Sequence, residues 1–167
     1  IDLPVAPLRR QLAITRTPEK MRRDLPFVVE FSRSLYFHYE SDGILTGMSN
    51  PDEVPGFGME IDEEWREIHL EAAVERLPLL ARAELVAEWA GLYEMTPDCQ
   101  PILGSVPGIE GLYVCTGFSG HGFMHGPACG LLLAEEILDG RAAGLDIDEL
   151  RIARFSGKKH AGEFNVI

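Results

Sequence analysis

Glycines at 117, 120 and 122 punctuate the stretch Gly117-Phe118-Ser119-Gly120-His121-Gly122-Phe123-Met124. An apolar, strand-like run, Leu112 to Cys115, precedes it, and a helix-like run, Ala128 to Leu138, follows. A strand that passes through glycines into a helix presents bare backbone N–H groups at the helix's positive end. That end suits phosphate, carboxylate or another electron-rich group, and the glycines allow close approach. The spacing is not G-x-G-x-x-G, so the dinucleotide fingerprint does not apply. A purely structural strand–helix turn is the competing reading.

Other reactive residue types give less. His121 and His125 stand four apart, a metal-chelating spacing on a helix, but Gly122, Gly126 and Pro127 oppose regular helix there and no acidic third ligand stands nearby. No metal site is expected. Ser119 lies outside any G-x-S-x-G elbow, which disfavours a hydrolase. Cys99, Cys115 and Cys129 are odd in number and not in C-x-x-C spacing, as expected for reduced thiols in a cytoplasmic protein, with Cys115 and Cys129 in the core. A net charge of −12 argues against a nucleic-acid partner. No apolar run reaches the ~20 residues that span a bilayer, and no signal peptide opens the sequence. The acidic stretch Glu60 to Glu75 reads as a solvated helix face.

The elements that must position the glycine turn follow from local pattern. Residues 5–15 read as a strand, and Phe27 to Phe31, Leu35 to Glu40 and Gly43 to Met48 as an antiparallel meander with breaks at Ser32-Arg33-Ser34 and Ser41-Asp42-Gly43. Thr17 to Lys20, Leu25-Pro26 and Asn50 to Gly58 read as loops. Asp62 caps a helix to about Leu77, with Trp65, Ile68, Ala72, Val74 and Leu77 on its apolar side. Glu84 to Glu94 is a further strand, and 101–103 and 111–116 flank a Val106-Pro107-Gly108 turn. The last helix starts at His121 or Pro127, with Pro127 in its first turn, and ends at Asp139 with Gly140 as its αL cap. Phe155 and Phe164 to Ile167 form a closing segment. The fold class is α+β, mainly antiparallel sheet with flanking helices.

Read together, Gly91-Leu92-Tyr93-Glu94-Met95-Thr96-Pro97-Asp98, Pro101-Ile102-Leu103-Gly104, Gly111-Leu112-Tyr113-Val114 and Gly117 to Phe123 resemble, in order and spacing, the C-terminal part of the D-amino-acid oxidase superfamily. Its members include sarcosine oxidase, glycine oxidase, dimethylglycine dehydrogenase and proline dehydrogenase. The opening Asp2 to Gln11 resembles the strand entering that family's substrate domain, so the resemblance covers nearly the whole chain. It implies the substrate domain and C-terminal return segment of a glutathione-reductase-type FAD oxidoreductase, without the N-terminal Rossmann unit. Residues 1–90 would be the substrate-domain sheet with one helix, and 91–167 the segment returning to the FAD domain. The chain reads as a fragment that is not self-sufficient, in which FAD is absent or weakly bound without the ADP-binding half.

The resemblance further implies oxidation of the C–N bond of an amino acid or N-methyl amine to an imine, with hydride transfer to FAD. Gly117, Phe118, Ser119, Gly120, His121, Gly122 and Phe123 would line the flavin ring and ribityl chain, with Tyr93, Met48 (beside Ser49) and Met124 at the substrate. Three departures limit the carry-over. Gly91 replaces the Cys that holds flavin covalently in some sarcosine oxidases, so FAD would be non-covalent at that point. Met124 replaces a Lys that pairs with the substrate carboxylate. Leu45 replaces the Lys that promotes reaction with oxygen, which favours a dehydrogenase over an oxidase. Arg9 or Arg10 could serve as a clamp or as surface salt-bridge partners. Expected partners are a small amine and a partner subunit or second copy; the alternative is a non-catalytic subunit-interaction module that binds no flavin.

Overall fold

The computed structural model describes residues 1–16, 23–156, 162 and 166–167. The chain forms two compact units, one of Leu8–Leu92 with Ile167 and one of Ile1–Pro7 with Tyr93–Val166. Sequence expectations at 17–20 and 164–165 lie outside the described residues.

The first is a sheet unit. Strands β1 (Ala6–Arg16), β2 (Val28–Glu30), β3 (Leu35–Glu40), β4 (Gly43–Met48) and β5 (Glu84–Met95) form one sheet in the order β2-β3-β4-β1-β5. The meander expected from the alternation is present, with Leu35 opposite Met48 and Glu40 opposite Gly43, and Leu12 to Thr15 pair with Gly47 to Ile44. Ser41 and Asp42, at φ 50° and 62°, supply the paired left-handed residues that a tight hairpin needs. Alternation sends Leu35, Phe37, Ile44 and Met48 to one face, where Ala72 and Ala73 of helix α1 (Glu63–Arg76) cover them. Asp62 caps α1 by accepting the Trp65 N–H at 3.0 Å.

The phase of α1 differs from expectation at one place. Ile68 is 46% exposed, and His69, at 2%, takes the buried position. One residue is a 100° rotation, and the helix follows Trp65, His69, Ala72 and Ala73. His69 Nε2 lies 3.0 Å from Thr46 Oγ1, which also bonds the Tyr36 carbonyl at 3.0 Å. With the hydroxyl proton on that carbonyl, Nε2 is the donor to Thr46. Burial pushes the His69 pKa down to about 4, so the ring is neutral.

The other is a hairpin–helix unit. Strands β6 (Ile102–Ser105) and β7 (Tyr113–Thr116) pair antiparallel, and helix α2 spans Gly122–Asp139. Pro127 sits inside the helix, beyond the first turn, and the expected break at Gly122, Gly126 and Pro127 does not occur. The missing proline N–H costs only the bond to the Phe123 carbonyl, close enough to the start for the helix to continue. Gly140 closes α2 at φ 77°. Leu103, Phe118, Cys129, Leu132 and Ile147 form this unit's core. Cys115, expected inside, is exposed, because β7 belongs to a two-stranded hairpin that cannot enclose it. Gly104, at φ 115°, is required: a Cβ there would lie 2.8 Å from Arg151 Nη1. That guanidinium clasps buried Glu136 through bonds of 2.7 and 3.0 Å. Among the described residues no helix is long and apolar enough to cross a membrane.

Candidate functional site

The glycine turn is fixed from within the hairpin–helix unit. Gly117, Ser119 and Gly120 have φ of 75°, 51° and 96°. A Cβ on Gly117 would strike the Thr96 methyl, and one on Gly120 would fall inside the Tyr93 ring. Ser119 is fully buried. Its N–H donates to the Glu94 carbonyl at 3.1 Å, and its hydroxyl accepts the Thr96 N–H at 3.4 Å. Phe118 anchors in the core. Two of the glycines thus serve to seat the turn on Tyr93 and Thr96.

Thr-Pro-Asp, immediately after β5, is held just as firmly. Thr96 Oγ1 lies 2.8 Å from the Gln100 carbonyl, and the Gln100 N–H donates to Asp98 Oδ1 at 3.1 Å. Arg154 grips Asp98 through bonds of 2.7 and 3.0 Å and also bonds the carbonyls of Leu150 and Gln100. Burial raises the Asp98 carboxyl, but Arg154 and the Gln100 N–H outweigh it and hold the pKa below the usual range. Sequence reasoning missed Arg154; its one trace is a lone charge in Ile152-Ala153-Arg154-Phe155.

The start of α2 is open. His121 occupies the cap position without a side-chain bond, and no acidic residue stands in the first turn. The N–H groups of Met124 and His125 both reach the His121 carbonyl at 3.1 Å. Those of Gly122 and Phe123 have no acceptor among the described residues. Beside them Phe123 is 99% and Met124 66% exposed. Such a terminus lacks the capping that helix starts normally receive and concentrates positive potential. The His121 and His125 rings stack at 5.5 Å, and no group of three metal-ligating side chains occurs among the described residues.

The remaining sequence candidates are placed as follows. Tyr93 is half-buried against Gly120. Met48 is buried in the sheet unit's core, and its carbonyl accepts the Trp65 indole N–H at 3.0 Å. Arg9 pairs with Glu53 at 3.0 Å and Asp62 at 3.6 Å, which ties it to the loop before α1. Arg10 Nη1 donates to the Arg9 carbonyl. Leu45 offers no cation, and Gly91 has open space where a side chain would stand.

Residues 1–136 match the family model described as DAO, FAD dependent oxidoreductase. The chain belongs to this family. Mitochondrial dimethylglycine dehydrogenase of Mus musculus is 32% identical over 93% of the chain and 20% of that protein. FAD-dependent oxidoreductase domain-containing protein 1 of Xenopus laevis is 31% identical over 100% of the chain and 34% of that protein. The crystal structure of L-proline dehydrogenase from P. horikoshii superposes with a TM-score of 0.83 at 28% identity, over 93% of this chain and 41% of that one. The chain therefore spans 20% of the first of these curated relatives and 34% of the second. The α+β fold with its antiparallel sheet agrees with that expected from the resemblance.

Proposed function

We propose that this chain supplies the substrate-domain sheet and one flavin-ring wall of an oxidoreductase that oxidises the C–N bond of an amino acid or N-methyl amine to an imine. The uncapped start of α2 carries the reading. Its two N–H groups without acceptors, at Gly122 and Phe123, suit the negative edge of a reduced flavin ring, and need no titrating side chain. FAD, when bound, supplies the acceptor for the hydride equivalent leaving the carbon beside the amine. The residues fit that group: Gly117 to Phe123 form the wall, held by Thr96, Ser119 and the Asp98–Arg154 pair. Phe123 and Met124 contribute apolar surface that excludes water beside it.

Tyr93 and Met124 face the substrate in this reading. The Tyr93 hydroxyl orients a carboxylate, while Met124 gives no charge to pair with it. Met48, committed to the core, contributes through the sheet it stabilises. Gly91 carries no thiol, so the cofactor is held without a covalent bond there. With Leu45 in place of a cation, the protein acts as a dehydrogenase in preference to an oxidase. The dehydrogenase reading draws support from dimethylglycine dehydrogenase and L-proline dehydrogenase among the similar proteins.

The test is anaerobic bleaching of the flavin's visible band in the FAD-loaded protein on addition of sarcosine, dimethylglycine, glycine or proline. Bleaching by one of them, with fast reoxidation by an artificial acceptor and slow reoxidation by oxygen, is expected. A flavin that none of these amines reduces would overturn the amine reading, and fast reoxidation by oxygen the dehydrogenase preference.

A further inference from the structure

Two thiols of the hairpin–helix unit converge on one buried residue. Cys115 stands directly opposite Leu103 in the β6–β7 ladder, so both side chains leave the same face of the hairpin. Leu103 is fully buried and belongs to one packed cluster with Cys129, Phe118 and Leu132. Helix α2 therefore covers the face that carries Cys115. A second contact sets the register of helix against hairpin, because the Ser105 N–H donates to Glu136 Oε1 at 3.0 Å. Cys129, two turns before Glu136, lies about 10 Å back along the helix. Leu103 and Cys115, two ladder positions before Ser105, lie about 7 Å back along the hairpin. The difference is within the reach of the Glu136 side chain, and Cys129 comes level with Leu103 and its neighbour Cys115.

The two thiols differ in access: Cys115 is exposed and Cys129 buried. That is the arrangement of an attackable thiol with a resolving partner behind it. Burial pushes the Cys115 thiol up, and the neighbouring Cys129 thiol and Glu94 push it further. Burial also pushes Cys129 up. Cys99, the third thiol, follows Thr-Pro-Asp, where its N–H donates to the Thr96 carbonyl at 3.2 Å, and has no place in this cluster.

We infer that Cys115 and Cys129 form a reversible disulfide, a clasp between β7 and α2 that closes a ring around the glycine turn. The oxidant is a small disulfide of the glutathione class. The Cys115 thiolate attacks one of its sulfurs and releases one glutathione thiol; the Cys129 thiolate then attacks the mixed disulfide at Cys115 and releases the second. Two cysteine thiols become one disulfide, one glutathione disulfide becomes two thiols, and the released thiolates take up the protons the cysteines lose. Because both cysteine thiols are held up, little thiolate is present at neutral pH and the exchange is slow there. The ring encloses Gly117 to Phe123, so oxidation ties the start of α2 to β7. The bond forms without flavin, and its outcome is separate from that of the flavin reading.

The experiment incubates the whole folded chain with glutathione disulfide at mildly alkaline pH, blocks remaining thiols with iodoacetamide and weighs the fragments made by a glutamyl endopeptidase. Cleavage after Glu94, Glu110 and Glu135 leaves Cys99 in fragment 95–110 and both Cys115 and Cys129 in fragment 111–135. Fragment 111–135 is expected without alkylation and lighter than its dithiol form by two hydrogens. Cys99→Ser should leave this result unchanged and Cys115→Ser should abolish it. In urea, where the fold no longer selects partners, a link between Cys99 and Cys115 should appear as well. Closing a ring of this size should lower the unfolding equilibrium constant about a hundredfold. A 111–135 fragment that stays dithiol or keeps glutathione, a link to Cys99 in the folded chain, or a lower urea midpoint after oxidation would each overturn the proposal.

Discussion

Gly120 and Gly126 separate two reasons for a glycine. Gly120 holds φ 96° with the Tyr93 ring where a Cβ would stand, whereas Gly126, inside α2, has open space. Gly120→Ala should cost about 2–4 kcal/mol through strain and overpacking, and Gly126→Ala should stabilise by about 0.5–1 kcal/mol through helix propensity. Urea denaturation midpoints check both; equal effects would show that the turn shifts freely. Arg154→Leu leaves the partly buried Asp98 without its cation, which should cost about 3–5 kcal/mol. Only the Asp98 end of this pair was legible, because Thr-Pro-Asp is a local pattern while Arg154 lies 56 residues away. Local spacing carries no record of so distant a partner.

At the scale of elements, α1 shows how far periodicity reaches. Its start was readable because capping is settled within one turn, by Asp62 and the Trp65 N–H. Its phase was not, since Ile68 is the more apolar residue yet His69 finds Thr46 and enters the core. Hydropathy ranks a histidine low, whereas a single well-placed hydroxyl reverses the outcome. The same burial makes α1 acid-sensitive. With a folded pKa of about 4 against 6.5 unfolded, the unfolded chain binds the extra proton between those values. His69 therefore contributes fully above pH ~6.5 and loses its contribution as pH falls to ~4, by about 3 kcal/mol in all. His69→Gln should flatten that part of the stability–pH curve measured by thermal unfolding; an unchanged slope would move the acid sensitivity to another group. Helix α2 was legible by its Gly140 end. Of the two starts read from the sequence, His121 and Pro127, the structure takes the first, with His121 as cap and the helix running from Gly122 through Pro127. At that open start, Phe123→Asp should place a carboxylate beside the free N–H groups, favouring the helix while reducing flavin affinity about tenfold by like-charge repulsion in the reduced state. A redox titration of the FAD-loaded protein would show a lowered potential; an unchanged potential would place the flavin elsewhere.

At the scale of the whole molecule, burial is lopsided along α2. Its inner side supplies Cys129, Leu132 and Glu136 to the core, whereas Phe123, Met124, Leu131 and Leu138 are exposed by 99%, 66%, 62% and 81%. Scattered apolar residues are ordinary on protein surfaces, but four on one helix at near-helical spacing form a patch that seeks cover. Such a face is a surface for association between copies of the chain. Helix α2 is apolar on more than one side, a pattern that belongs to enclosed helices. A net charge of −12 works against such association by repulsion. Salt decides between them: repulsion is screened within about 8 Å at physiological ionic strength, while apolar burial is not weakened. Raising sodium chloride should therefore increase the mass of this chain measured by light scattering. Leu131→Glu with Leu138→Lys, both on the exposed side, should abolish the increase without lowering the urea midpoint. A chain that stays monomeric at high salt would mean that α2's outer face is too dispersed to act as one surface.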